Sequence, residues 1–316
     1  MAGSGKKRSR KLYVGVDVGG TKILATLVKR SGKVLARRRL PTPREGKCGE
    51  VVEAVAAAIE KLLHRADTSG GVAAVGLAIP GVVDPDRGRV VITPNMNLTG
   101  LDIVKEMRKR IDVPVALGND VNLGTLGEKW LGAGRGARSA VGIFLGTGIG
   151  GGVIIDGAMY RGCRESAGEV GHLIMQPGGP LCGCGSRGCF EALASRTAIE
   201  RDIRAAVASG RKSVVTELLE DEAGLIRSGT LKKAIAQNDE VVVEVMRRAA
   251  EITGYACLSI RHLIDPEVII LGGGVIEACG DFMLPIIEEI VASDPLTGAR
   301  PGGRIVPSLL GDDAVA

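Results

Sequence analysis

The chain has 316 residues, 45% of them hydrophobic but only 2% aromatic, and a formal net charge of +5; that length predicts two domains with aliphatic cores. Lys6, Lys7, Arg8, Arg10 and Lys11 carry five positive charges ahead of the first predicted strand, so the body is close to neutral and a basic nucleic-acid-binding face on it is excluded, the tail reading as a disordered solubilising segment. No apolar run nears the ~20 residues that cross a bilayer, no apolar stretch follows the tail as a secretory signal requires, and seven cysteines form an odd set that suits a reducing cytoplasm better than a disulfide framework.

Leu12 to Val18 alternates and predicts a strand; Gly19-Gly20 turns it, Ile23 to Val28 returns, Ser31-Gly32 turns again, and Lys33 to Arg39 completes a meander. In "EVVEAVAAAIEKLLHRA", Val51, Val55, Ile59, Leu62 and Leu63 share one helical face. "VAAVGLAIPGVVD" predicts a buried strand ended by Pro80-Gly81, "LDIVKEMRKRI" a short amphipathic helix, and "PVALGND" a strand that stops at a polar tip before a helix begins. The pattern of residue 14, "VGVDVGGTK", then echoes at residue 141 as "VGIFLGTGIGGGVIIDG", which places a domain boundary near Gly118. After a cysteine-rich stretch the chain is mostly helical, with "DEVVVEVMRRAAEITGYACLSIRHLI" long and amphipathic. "EVIILGGGV" gives a last strand, glycines, and a helix starting near Val275.

Three glycine-rich turns thus follow apolar strands. Glycine lets backbone N–H groups point at a bound oxyanion, and such turns favour phosphate. None has the Walker A spacing or the dinucleotide fingerprint. Asp17 precedes the first turn, where two roles fit it: capping the turn, or holding Mg²⁺ through water beside a phosphate. Asp120, in "GNDVN", fits both a helix cap and the base that accepts a hydroxyl proton in phosphoryl transfer. In "HLIMQPGGPLCGCGSRGCFE", His172, Cys182, Cys184 and Cys189 lie among glycines. Three thiolates and an imidazole complete a tetrahedral Zn²⁺ site with no open position, which marks a structural metal. A disulfide would leave one of the three thiols over, and C-x-C is not the redox C-x-x-C spacing. Cys48, Cys163, Cys257 and Cys279 have no such company and are expected as small buried residues.

"DVGGTK", "GLAIPGVVD", "TPNMNL", "GNDVN", "FLGTGIGGG", "EVGH", "CGCGSRGCFE" and "ILGGG", in that order, resemble the ROK family of sugar kinases and repressors. The resemblance implies an α/β, actin-like ATPase fold, a duplicated ribonuclease H-like unit with two domains around a cleft: residues 1–118 small, 119–299 large with the zinc insert, and about 300–316 packing back on the first. It implies ATP-dependent phosphorylation of a hexose 6-hydroxyl, glucose foremost, with N-acetylmannosamine, N-acetylglucosamine or fructose as alternatives. Asp120 is then the catalytic base. Asn119, Glu169, His172 and Glu191 contact sugar hydroxyls, and Asn95 and Gly81 line the sugar pocket. Asp17, Gly19, Gly20, Thr21, Lys22, Gly146, Thr147, Gly148, Gly272, Gly273 and Gly274 take ATP and Mg²⁺. The family's repressors add an N-terminal helix-turn-helix domain, for which a phosphate motif beginning at residue 12 leaves no room. A cytoplasmic homodimer or homotetramer, with sugar and nucleotide as its partners and neither nucleic acid nor membrane, is the remaining expectation.

Overall fold

The computed structural model describes residues 11–43, 48–65, 71–93, 96–219, 224–296 and 298–315; the basic tail before Lys11 and Asn95 lie outside them. The chain divides into two compact units, Met1–Gly124 with Cys163–Ser166 and Asp312–Ala316, and Thr125–Gly162 with Ala167–Gly311. The first division falls inside a helix, after Gly124.

In the first unit, β1 (Leu12–Val18), β2 (Lys22–Lys29) and β3 (Val34–Pro41) form the predicted meander. Leu12, Val14, Val16 and Val18 are buried while Tyr13, Gly15 and Asp17 take the other, half-buried face, the period-2 alternation of a strand. Helix α1 (Cys48–Arg65) lays Val51, Val52, Val55, Ile59 and Leu62 into that core, burial worth about 1.5–3 kcal/mol for each such side chain. β4 (Val72–Ile79) pairs with β1 in parallel. Where the sequence predicts only the end of a strand, Pro80 and Gly81 lead into a separate hairpin, β5 (Val82–Asp84) with β6 (Arg89–Ile92). Helix α2 (Ile103–Arg108), β7 (Val115–Asn119) and helix α3 (Asp120–Leu131) follow. The sheet order is β3-β2-β1-β4-β7.

The second unit repeats this order. β8 (Ala140–Leu145), β9 (Ile149–Ile155) and β10 (Ala158–Tyr160) are a meander; β11 (Val268–Gly272) and β12 (Arg304–Pro307) add in parallel, giving β10-β9-β8-β11-β12. Between β10 and β11 lie α4 (Phe190–Ala194), α5 (Arg196–Ala208), α6 (Val215–Leu218), α7 (Ser228–Ala236) and α8 (Glu240–Ile264), and α9 (Gly274–Ala292) follows β11. The continuous apolar runs of β8 and β11 are buried on both faces, as parallel strands require. Glu128 of α3 is fully buried, and its side-chain oxygens accept from Ala133 N–H at 2.8 Å, Ser308 Oγ at 2.6 Å, Leu309 N–H at 3.1 Å and Leu310 N–H at 2.7 Å. Those donors replace the water that the buried group gives up.

Among the described residues no helix is long and apolar enough to cross a membrane. All seven cysteines are free thiols. Cys257 and Cys279 are buried as expected, whereas Cys48 and Cys163 are exposed, because Cys48 opens α1 on its solvent side and Cys163 lies in the loop after β10.

Candidate active site and metal cluster

Strands β1, β4 and β7 end level with one another: Asp17 pairs with Ala78, and Ile79 with Asn119. Ligands of parallel α/β sheets bind outside the carboxyl ends of the strands. That edge carries Asp17, Gly81, Asn119 and Asp120. Asn119 caps α3, its Oδ1 accepting from Asn122 N–H at 2.9 Å. Its Nδ2 donates to the Gly81 carbonyl at 2.9 Å and to Asp120 Oδ1 at 3.0 Å, and Val121 N–H donates to the same Oδ1 at 2.9 Å. Gly81, Asn119 and Asp120 are thereby brought together, with the Asp120 carboxylate at the positive end of α3. In the β1–β2 turn, Gly19 N–H donates to the Lys22 carbonyl at 2.9 Å. Thr42, buried and missed by the sequence reading, secures this turn: its Oγ1 donates to the Gly19 carbonyl at 2.6 Å and its N–H to the Thr21 carbonyl at 3.1 Å. Asp17, Gly20 and Lys22 are half-buried and Thr21 is exposed.

The second unit holds the other two glycine turns side by side. Gly146 N–H donates to the Gly148 carbonyl at 2.8 Å, closing the β8–β9 turn. Gly272 pairs with Phe144, and Gly273, at φ +84°, caps the 19-residue helix α9 that Gly274 begins. A Cβ on Gly273 would stand 2.5 Å from the Leu145 carbonyl oxygen, so only glycine allows this approach of β11–α9 to the end of β8. Gly146, Thr147 and Gly148 therefore adjoin the N–H-rich start of α9, where an anion is favoured.

The cysteine stretch folds on itself through bridges between Ile174 and Cys189 and between Leu181 and Arg187. Gly188 sits at φ +78° with the Gln176 carbonyl where a side chain would start, which excludes any other residue. The ligand atoms of His172, Cys182, Cys184 and Cys189 all lie within 4.8 Å of one another. Cys184 Sγ is 3.7 Å from Cys189 Sγ, and His172 Nδ1 is 3.7 Å from Cys182 Sγ. A tetrahedral ion with metal–sulfur bonds of ~2.3 Å needs ligand–ligand edges of about 3.8 Å, close to these two separations, so the donor set suits such an ion. Burial pushes the Cys182 thiol up to about 12, while the Ser186 N–H holds Cys184 down to about 7. Around this cluster stand the other predicted residues. His172 turns Nδ1 to the thiols and Nε2 toward Glu169, whose Oε2 is 4.0 Å away. Glu191 Oε1 accepts from Cys182 Sγ at 3.5 Å, and its Oε2 accepts from Ile149 N–H at 2.9 Å. The structure thus gathers Glu169, His172 and Glu191 at one place. It adds two residues that the sequence did not single out, Arg196 and Thr197, which hold the Gly146–Gly148 turn and whose only sequence signal is their place just after the cysteine motif.

Comparison with known proteins bears on the whole chain. The sequence signature of the ROK family spans residues 13–315. A glucokinase of Thermotoga maritima is 36% identical over 282 residues, 88% of this chain and 86% of its own. A glucokinase of Halalkalibacterium halodurans is 32% identical over 309 residues, 97% of this chain and 93% of its own. A ROK family glucokinase from Streptomyces griseus, solved in complex with glucose and AMPPNP, superposes with a TM-score of 0.78 at 32% identity, covering 96% of each chain.

Proposed function

The chain belongs to the ROK family, and from that premise we propose that it is an ATP-dependent sugar kinase that moves the terminal phosphoryl group of ATP to the 6-hydroxyl of glucose. Its fold is the actin-like ATPase fold, carried by two sheets of the same strand order. The observation that carries the reading is Asp120, held at the start of α3 by Asn119 and by Val121 N–H at the carboxyl edge of a parallel sheet. A carboxylate fixed there takes the proton from the attacking hydroxyl. The glycine turns at Gly19–Lys22, Gly146–Gly148 and Gly272–Gly274 supply N–H groups for the phosphates. Asp17 would support the Mg²⁺ that such a transfer uses to offset charge on the phosphates.

Glu169, His172 and Glu191 recognise sugar hydroxyls, since carboxylates accept from two donors at once. Zinc is the ion that the donor set of His172, Cys182, Cys184 and Cys189 suits. With all four positions filled by protein it contributes no chemistry to the transfer. Bound there, it would hold the His172 ring, whose Nδ1 faces the thiols, and Nε2 would be left to a hydroxyl. Seven free thiols fit work in the reducing cytoplasm.

The test is formation of the sugar phosphate across glucose, mannose, fructose, N-acetylglucosamine and N-acetylmannosamine, with ATP and with polyphosphate as donors, ADP release being the coupled readout for ATP. The highest kcat/KM is expected for glucose with ATP. A tenfold preference for an N-acetylhexosamine would move the substrate, and no sugar phosphate from any sugar with either donor would overturn the kinase.

A further inference from the structure

The segment after the last cysteine of the cluster grips the β8–β9 turn at four points. Glu191 Oε2 accepts from Ile149 N–H at 2.9 Å, Arg196 N–H donates to the Gly146 carbonyl at 2.9 Å, Arg196 Nη2 donates to Thr147 Oγ1 at 3.3 Å, and Thr197 Oγ1 donates to the Thr147 carbonyl at 2.8 Å. Two of these bonds act on consecutive peptides. A trans peptide is rigid and its C=O and N–H point in opposite directions, and no cis peptide occurs among the described residues. Drawing the Gly146 and Thr147 carbonyls toward the start of α5 therefore aims the Thr147 and Gly148 N–H groups away from it. Among the described residues no hydrogen bond takes up either N–H. Successive N–H groups aimed outward from a turn form an anion nest.

The grip is itself braced. Ser195, nearly fully buried, caps α5 by accepting from Ala198 N–H at 3.2 Å. Arg196 Nη1 is held by Glu200 Oε2 at 3.2 Å and by the Ile226 carbonyl at 3.3 Å. Thr197, by contrast, is exposed. Its hydroxyl serves the turn and not the core.

We propose that Thr197 is a positioning residue which, with the Arg196 N–H, orients the Thr147 and Gly148 amides for the phosphates of the nucleotide, while Glu191 ties the same turn to the metal cluster. The proposal rests on the kinase reading for the identity of its anion. It adds that Glu191, assigned above to the sugar, also takes part in setting the geometry of the phosphate turn.

The test compares Thr197→Val, which keeps the shape and loses the donor, with Thr197→Ser, which keeps the donor. Calorimetry with AMPPNP, the KM values for ATP and glucose, and amide hydrogen exchange of residues 146–149 in nucleotide-free protein are measured for each. Thr197→Val is expected to weaken AMPPNP binding and raise the ATP KM about fivefold to tenfold, the loss of one hydrogen bond. The glucose KM should stay within about twofold and exchange at Gly146 and Ile149 should quicken; Thr197→Ser should restore all three. Unchanged AMPPNP affinity and exchange in Thr197→Val would overturn the proposal, as would a Thr197→Ser variant no better than valine. If the wild-type protein bound no AMPPNP, the kinase reading would fall, and the exchange comparison would still decide the grip. Chelation of the metal should quicken exchange at Ile149; unchanged exchange there would refute the tie through Glu191.

Discussion

Asp120 sits first in α3 with one carboxylate oxygen already accepting from Val121 N–H and Asn119 Nδ2. Those bonds fix where the carboxylate points, so removing its charge leaves the shape of the site intact. Asp120→Asn is expected to lower kcat at least ~10²-fold, the lower range for loss of a general base, with glucose and AMPPNP affinities within about threefold by calorimetry; near-normal turnover would remove Asp120 from the role. Asn119 spends both amide hydrogens inside the protein, on the Gly81 carbonyl and on Asp120. Asn119→Ala should therefore cut kcat as well as raise the glucose KM, and lose about 1 kcal/mol of stability with its cap; a variant altered only in KM would show that Asn119 does not orient Asp120. The place of Asp120 between β7 and α3 was legible in the sequence because a polar tip on an apolar strand is a local pattern. Thr42 and Thr197 were not, because their acceptors lie 23 and 50 residues away and a threonine in a loop or helix start leaves no mark of a distant partner.

Helices with a strong local signature, such as α8, were legible almost to their ends. Asp239 opens that stretch and is its N-cap, accepting from Val242 N–H at 2.9 Å, and its second oxygen takes Val214 N–H at 2.6 Å from the element before. The β5–β6 hairpin was hidden, since Pro80-Gly81 reads as an end and Val91 and Ile92 are exposed rather than alternating. Burial alone would push the Asp239 carboxyl up, but the Val242 and Val214 N–H groups outweigh it and hold the group below the usual range. Asp239→Ala should cost about 1–2 kcal/mol at pH 7, read from urea unfolding. A lowered folded-state value means the contribution is present above the unfolded value and is lost as pH falls through the folded one. The gap between wild type and variant should thus narrow below about pH 4. A gap that persisted at pH 2 would mean that the effect is packing and not the charged cap.

At the scale of the molecule the sequence shows its duplication, since "VGVDVGGTK" and "VGIFLGTGIGG" head sheets of identical order. It does not show that the chain leaves the first unit inside α3, because a helix runs through that point without a break in pattern. Elemental analysis is expected to find about one zinc per chain. Cys184→Ala should lower Tm by ~4–8 °C, the shift that a loss of about 2 kcal/mol gives a domain of this size. It should raise the glucose KM at least about tenfold. Protein free of zinc with wild-type Tm and glucose KM would show the cluster to be idle. The shared strand order also sets a timetable. All five strands of the first sheet lie before residue 120, so that sheet is complete once β7 has been made. In the second sheet β8 waits for its parallel neighbour β11, at Val268, and the buried Glu128 waits for Ser308, Leu309 and Leu310 at the far end of the chain. At about 5–20 residues per second the interval from β8 to β11 is on the order of 10 s. During that time the nascent chain carries one sheet with all its strands made and one with an apolar edge open, the kind of surface that invites aggregation and that chaperones cover.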